Sequence, residues 1–194
     1  DWRERKQKQR LFGAVKLFLF VGILGVMVGL GIVYKTQIMT LGTIVDISLW
    51  DVDDARAQQA VKAVENVLNE AHKHWHAWEP GMLTDLNQRL AAGETVTLTA
   101  EDAASLRQVQ ELAHNGEELF NPAIGRLIGL WGFHSDDPPL GPPPDPEQIR
   151  RLVDAHPTLD DLVFDGDRVH SVNPALQLDM GGSHKGYAVD KAID

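Results

Sequence analysis

The stretch Leu178-Asp179-Met180-Gly181-Gly182-Ser183-His184-Lys185-Gly186-Tyr187-Ala188-Val189-Asp190 sets a carboxylate, paired glycines and a lysine side by side. It reads as a short strand, a tight turn and the start of a helix. Paired glycines let a ligand approach bare backbone, because no Cβ stands in the way. The helix that follows turns its free N–H groups and positive dipole end toward the turn, which suits a phosphate. Asp179 before the turn and Lys185 after it bring opposite charges to one point. With no ligand, the same residues make an ordinary strand-to-helix turn with Lys185 in solvent.

The order of the residues narrows this reading. Asp-x-Gly-Gly-x-x-Lys-Gly-Tyr-Ala-Val-Asp resembles the signature of the ApbE family, the FAD:protein FMN transferases formerly described as thiamine-biosynthesis lipoproteins. Three more blocks resemble the family, in the family's order. Thr40-Leu41-Gly42-Thr43 is similar to its opening Met-Gly-Thr, with Leu41 for methionine, a swap that keeps the apolar volume. Trp78 and Leu83-Thr84-Asp85-Leu86-Asn87 resemble an aromatic residue followed by Leu-x-x-Leu-Asn. Leu119-Phe120-Asn121-Pro122-Ala123-Ile124-Gly125 and Leu127-Ile128-Gly129-Leu130-Trp131-Gly132-Phe133 resemble a Phe-Asp-Pro…Leu-Trp-Gly-Phe block, with Asn121 where aspartate is usual.

This resemblance implies an α+β, T-fold-like domain of mixed antiparallel sheet with packed helices. It implies FAD as substrate, Mg²⁺, and transfer of FMN to a threonine hydroxyl of a target protein with release of AMP. Such displacement at phosphorus needs a cation on the pyrophosphate oxygens and a positioned nucleophile. The residues that the resemblance assigns to FAD are Leu41, Trp78, Leu119, Phe120, Asn121, Asp179 and Lys185. Gly182 would offer its carbonyl to Mg²⁺, an oxygen ligand suited to a hard cation. No catalytic side chain is assigned. Ser183-His184 replaces the family's Ile-Ala, and the His184 imidazole is expected to crowd or hydrogen-bond the diphosphate. The family's later Gly-Gly-Asp and Asp-x-x-x-Thr blocks do not occur, so these 194 residues are expected to be inactive alone and a full-length parent to be the enzyme.

Two other readings stand beside this one. The first is a membrane-tethered flavin-binding or scaffold protein without transferase activity. The second is a metal-handling protein that uses His72, His74 and His76. On a strand those three would share a face, and on a helix only His72 and His76 would. An ordinary helix end, with histidines near its C-terminal dipole, accounts for them as well.

The elements that must position these residues follow from composition and periodicity. Hydrophobic content of 43% and charged content of 24% fit a globular chain. The absence of cysteine excludes disulfides and thiolate metal sites. The chain begins at Asp1, without methionine, and stops at Asp194 in an apparent helix, so a fragment of a longer reading frame is expected. Residues 11–34 read as a transmembrane helix: Leu17 to Tyr34 carry no charge, and Gly25 and Gly29 form a GxxxG. Residues 1–10 form a basic tail, so the positive-inside rule places that tail in the cytoplasm. Residues 38–194 become a periplasmic domain on a single-pass inner-membrane anchor. The chain carries −10 overall, but residues 36–194 carry −15, since seven of the 18 basic residues and two of the 28 acidic ones come before them. An acidic domain of this kind excludes nucleic acid as a partner.

Within the domain, Ile38 to Trp50 alternates as one half-buried strand. Asp51 to Asp54 cap a helix to His74, with Val61, Val64, Val67, Leu68 and Ala71 on its buried face. Thr99 caps a helix to Asn115, with Gly116 as the C′ residue. Trp131 and Phe133 are expected in the core. Six prolines between Ser135 and Pro146 mark a surface loop. A helix opens at Asp145-Pro146, and Asp165-Gly166-Asp167 turns a hairpin.

Overall fold

The computed structural model describes residues 33–117, 119–137 and 139–193. The chain divides into two compact units at Glu65 and Asn66.

The first unit holds an antiparallel hairpin, β1 (Val33–Thr40) and β2 (Thr43–Trp50), paired from Val33 with Trp50 to Thr40 with Thr43. The single strand expected from Ile38 to Trp50 is therefore two strands. Leu41 and Gly42 form a two-residue loop with φ of 54° and 64°. Both values lie in the left-handed region, the conformation that suits strand twist in a tight hairpin. Glycine takes it freely, but leucine gives no sequence signal for it, so the turn is hidden in the alternation. Val33 and Tyr34 belong to β1, so the span expected over 11–34 does not include them. Its other residues, and the 1–10 tail, lie outside the described residues. Among the described residues no helix is long and apolar enough to cross a membrane. Helix α1 (Asp54–His74) starts in this unit, where the Asp53 carboxylate accepts the Arg56 N–H at 2.9 Å.

The second unit continues α1 and adds α2 (Met82–Ala91), β3 (Val96–Thr97), α3 (Ala100–Asn115), α4 (Gly125–Leu130) and α5 (Pro146–Asp154). A 3₁₀ turn (Leu159–Asp161), β4 (Leu162–Asp165), β5 (Arg168–Ser171) and α6 (His184–Ile193) complete it. The three strands form one antiparallel sheet in the order β3-β5-β4. The expected Gly166 turn joins β4 to β5, with φ 58°. Leu83, Leu86 and Leu90 of α2, Leu106 and Val109 of α3, Val96, Leu162 and Val169 of the sheet, and Leu176, Leu178 and Met180 share one core. Each such burial contributes about 1.5–3 kcal/mol. The caps hold as expected: Thr99 accepts the Asp102 N–H, and Asp145 accepts the Glu147 N–H.

Three expectations fail here. Gly116 has φ −87°, and the left-handed residue after α3 is Glu117, at 51°. Trp131 and Phe133 are not core, being 39% and 57% exposed. Leu176 to Asp179 is no regular strand, and one parallel bridge joins Gln177 to Ile124.

Candidate functional site

Three of the four motif blocks meet in the second unit. The Gly125 N–H donates to Gln177 O at 2.8 Å, Gln177 N–H to Ala123 O at 3.2 Å, and Asp179 N–H to Pro122 O at 2.8 Å. Gly125 makes this approach possible, since a Cβ there would lie 2.7 Å from Gln177 O. From the other side, buried Asn87 donates through Nδ2 to Leu178 O at 2.9 Å and accepts the Leu178 N–H at 2.7 Å. Side-chain amide and neighbouring loop thus replace the missing strand partners on both sides of the segment that leads into the glycine turn.

The turn itself is tightly specified. The Asp179 Oδ1 accepts the Gly181 N–H at 2.9 Å. Met180 O accepts from Ser183 N–H at 3.1 Å and His184 N–H at 2.9 Å. These three N–H groups are thereby satisfied within the protein. Gly182 packs beneath Phe120, where a Cβ would stand 2.9 Å from Cε2. Lys185, in the first turn of α6, is exposed, and its side chain has no hydrogen bond or ion pair to another described residue. An unpaired ammonium group at this position is available to a phosphate.

An aromatic wall stands beside the turn. Trp78 sits on the loop after α1 and is 40% exposed. Buried His76 fixes that loop, because its Nδ1 accepts the Glu79 N–H at 3.0 Å. Burial pulls the pKa of His76 down, against the opposing carboxylate of Glu79, so the acceptor form is retained. Thr84 Oγ accepts the Gly81 N–H at 2.9 Å, and Gly81 has no room for a Cβ, which would fall 2.4 Å from Lys73 O. The Trp78 ring stacks on His134, with centroids 5.5 Å apart and planes at 21°. His134 Nε2 in turn lies 3.0 Å from Asp179 Oδ2, with both side chains largely buried.

The structure therefore brings Trp78, Phe120, Asp179 and Gly182 to one turn. Lys185 follows the same turn, in the first turn of α6. Leu41 is in the first unit, at the hairpin tip. Leu119 is 93% exposed. The side chain of Asn121 is used internally: Nδ2 donates to Pro157 O at 2.8 Å, and Oδ1 accepts the Ala123 N–H at 3.0 Å. The His184 imidazole, expected to meet the diphosphate, is not open to solvent. It is buried against Trp75 (centroids 4.1 Å), with Ser105 Oγ at 3.2 Å from Nε2 and Ser183 Oγ at 3.1 Å from Nδ1. Burial, with the His74 charge adding to it and Asp102 opposing, lowers its pKa to about 4. His134 was missed by sequence reasoning. Its only signal was an imidazole directly after the Trp-Gly-Phe block.

Of the three histidines that suggested a metal, His72 packs edge-on against His76, with ring centroids 4.7 Å apart. His74 Nε2 pairs with buried Asp102 at 2.7 Å, and His76 holds its own loop. Among the described residues no three His, Asp or Glu converge on a metal position. The cluster is instead suited to binding: a stacking wall, a hydrogen-bonding carboxylate, a bare glycine turn and a free cation fit a planar aromatic group joined to phosphate.

Comparison with known proteins bears out the family resemblance. Residues 41–194 match the ApbE family. An FAD:protein FMN transferase of Rhodobacter capsulatus is 38% identical over 78% of this chain and 29% of its own length. One from Klebsiella pneumoniae is 29% identical over 84% of this chain and 49% of its own. The apo structure of Pseudomonas stutzeri flavinyl transferase ApbE superposes with TM-score 0.72 at 24% identity, covering 85% of this chain and 52% of that one. The ApbE protein of Thermotoga maritima gives TM-score 0.71 at 24% identity, covering 83% and 51%. These structures support the α+β fold, and the chain spans about half or less of the relatives it matches.

Proposed function

The chain belongs to the ApbE family, and on that premise we propose that it forms the FAD-binding part of an FAD:protein FMN transferase. The observation that carries the proposal is the convergence of Trp78, Phe120, Asp179 and Gly182 on one turn, with Lys185 free beside it. In this reading the isoalloxazine lies against the aromatic wall. Lys185 meets the diphosphate, and Asp179 accepts a hydrogen bond from the ligand. The reaction is transfer of FMN to a threonine of a target protein, with AMP leaving. Mg²⁺ would supply charge neutralisation at the diphosphate, and Gly182 offers it one carbonyl. With that one carbonyl as the assigned ligand the cation would be held weakly, so these 194 residues are expected to bind FAD without turning it over.

The membrane reading is proposed from sequence alone. Leu11 to Ile32 is apolar apart from Lys16 and, at about 1.5 Å per residue, long enough to cross the hydrocarbon layer. With the basic residues before it, this supports an inner-membrane anchor and a periplasmic domain.

The assay is AMP release and covalent flavin on a threonine-bearing acceptor. It is run with this chain and with a chimera whose remaining half comes from one of the relatives above. FAD binding by the chain and turnover by the chimera are expected. Binding by both with turnover by neither would favour the inactive flavin-binding scaffold instead.

A further inference from the structure

We propose that His134 is a positioning residue of the flavin site, holding the Asp179 carboxylate and the Trp78 ring in one fixed arrangement. This deepens the flavin reading and rests on it. Asp179 has both oxygens engaged: Oδ1 with the Gly181 N–H and Oδ2 with His134 Nε2, while its backbone N–H is held by Pro122 O. The carboxylate cannot rotate without breaking one of these. The His134 ring is seated just as closely. A Cβ on Gly129 would stand 2.9 Å from Nδ1, so Gly129 is what leaves room for the ring on that side. Trp78 stacks on it at 5.5 Å and 21°. A carboxylate oxygen only accepts, so in this contact Nε2 is the nitrogen that donates to Asp179.

The arrangement resolves a conflict in charge. A lone carboxylate beside a diphosphate repels it. Donation from His134 draws off part of the carboxylate's charge and leaves free lone pairs aimed by the ring. Asp179 can then accept from a ligand donor rather than oppose the phosphates. The stack also fixes the gap between the aromatic wall and the carboxylate, which sets where a planar ring can lie.

The test is FAD titration of the wild-type chain and of His134→Phe, His134→Gln and Gly129→Ala, with Tm recorded for each. His134→Phe keeps a ring but loses the donor, and is expected to weaken FAD binding about tenfold. His134→Gln keeps a donor and recovers part of that loss. Gly129→Ala crowds the ring without altering either partner, and is expected to weaken binding about threefold or more. In an Asp179→Asn background the His134→Phe loss should shrink to about twofold or less, because the coupled partner is gone. A purely structural His134 would lower affinity equally in both backgrounds. Wild-type FAD affinity in folded His134→Phe and Gly129→Ala, or an undiminished loss in the Asp179→Asn background, would overturn this inference and leave the flavin reading standing. Failure of the wild-type chain to bind FAD would overturn both.

Discussion

Asn87 and Leu178 exchange two hydrogen bonds across 91 positions of sequence, the side-chain amide serving as strand partner to one backbone unit. Both groups are buried, so nothing else can satisfy them. Asn87→Leu leaves an N–H and a C=O unpaired, each costing about 1–3 kcal/mol. We expect the urea midpoint to fall with unchanged slope, corresponding to a loss on the order of 3 kcal/mol. Asn87→Asp keeps the acceptor but sets a carboxylate against Leu178 O, and is expected to be no better. Wild-type stability in either variant would show that the leading segment of the turn is held by other means.

Gly182 and Phe120 test the turn from below. A Cβ on Gly182 would come within 2.9 Å of the Phe120 ring. Gly182→Ala must shift that ring at a cost of about 1–3 kcal/mol. Weaker FAD binding with a modest drop in Tm is expected. Combining Gly182→Ala with Phe120→Leu should recover part of the stability, because the smaller side chain yields the space.

Asn121 yields a prediction that runs against the resemblance. The family's usual aspartate would lose the donor to Pro157 O and place a negative charge against that carbonyl. Asn121→Asp is therefore expected to destabilise by about 1–2 kcal/mol and to leave FAD affinity unchanged. A gain in affinity on FAD titration would return this position to the ligand.

His184 makes stability depend on pH. Its folded pKa is about 4, against about 6.5 in the unfolded chain. Between those values the unfolded state binds more protons, so stability falls as pH drops from about 6.5 toward 4 and levels off below. The loss at full protonation is on the order of 3 kcal/mol. His184→Gln removes this component, since an amide can still meet Ser105 without charging. Comparing unfolding free energy of the two proteins from pH 4 to 7 isolates it, and parallel curves would contradict the burial argument.

Much of the second unit was legible because its signals are local. Thr99 and Asp145 cap helices through short-range bonds, and Gly166 punctuates a hairpin. What was not legible depends on partners distant in sequence. The alternation of Ile38 to Trp50 hid a hairpin because Leu41 adopts a backbone that leucine rarely signals. Trp131 and Phe133 look like core by type, yet they lie at and just past the end of α4, where both are left exposed. Trp78, Phe120, Asp179 and Gly182 were found by their blocks, since a turn with bare backbone constrains residue type. His134 was not, because its role exists only where Gly129, Trp78 and Asp179 meet.

If the turn between Asp179 and Lys185 grips the diphosphate of a flavin dinucleotide, Lys185 must separate FAD from riboflavin. Titrating FAD and riboflavin in parallel against the wild-type chain and Lys185→Ala tests it most directly, because only FAD carries phosphate. Lys185→Ala is expected to weaken FAD binding about tenfold and leave riboflavin binding unchanged. Equal FAD affinity in both proteins, or an equal loss for both ligands, would contradict it.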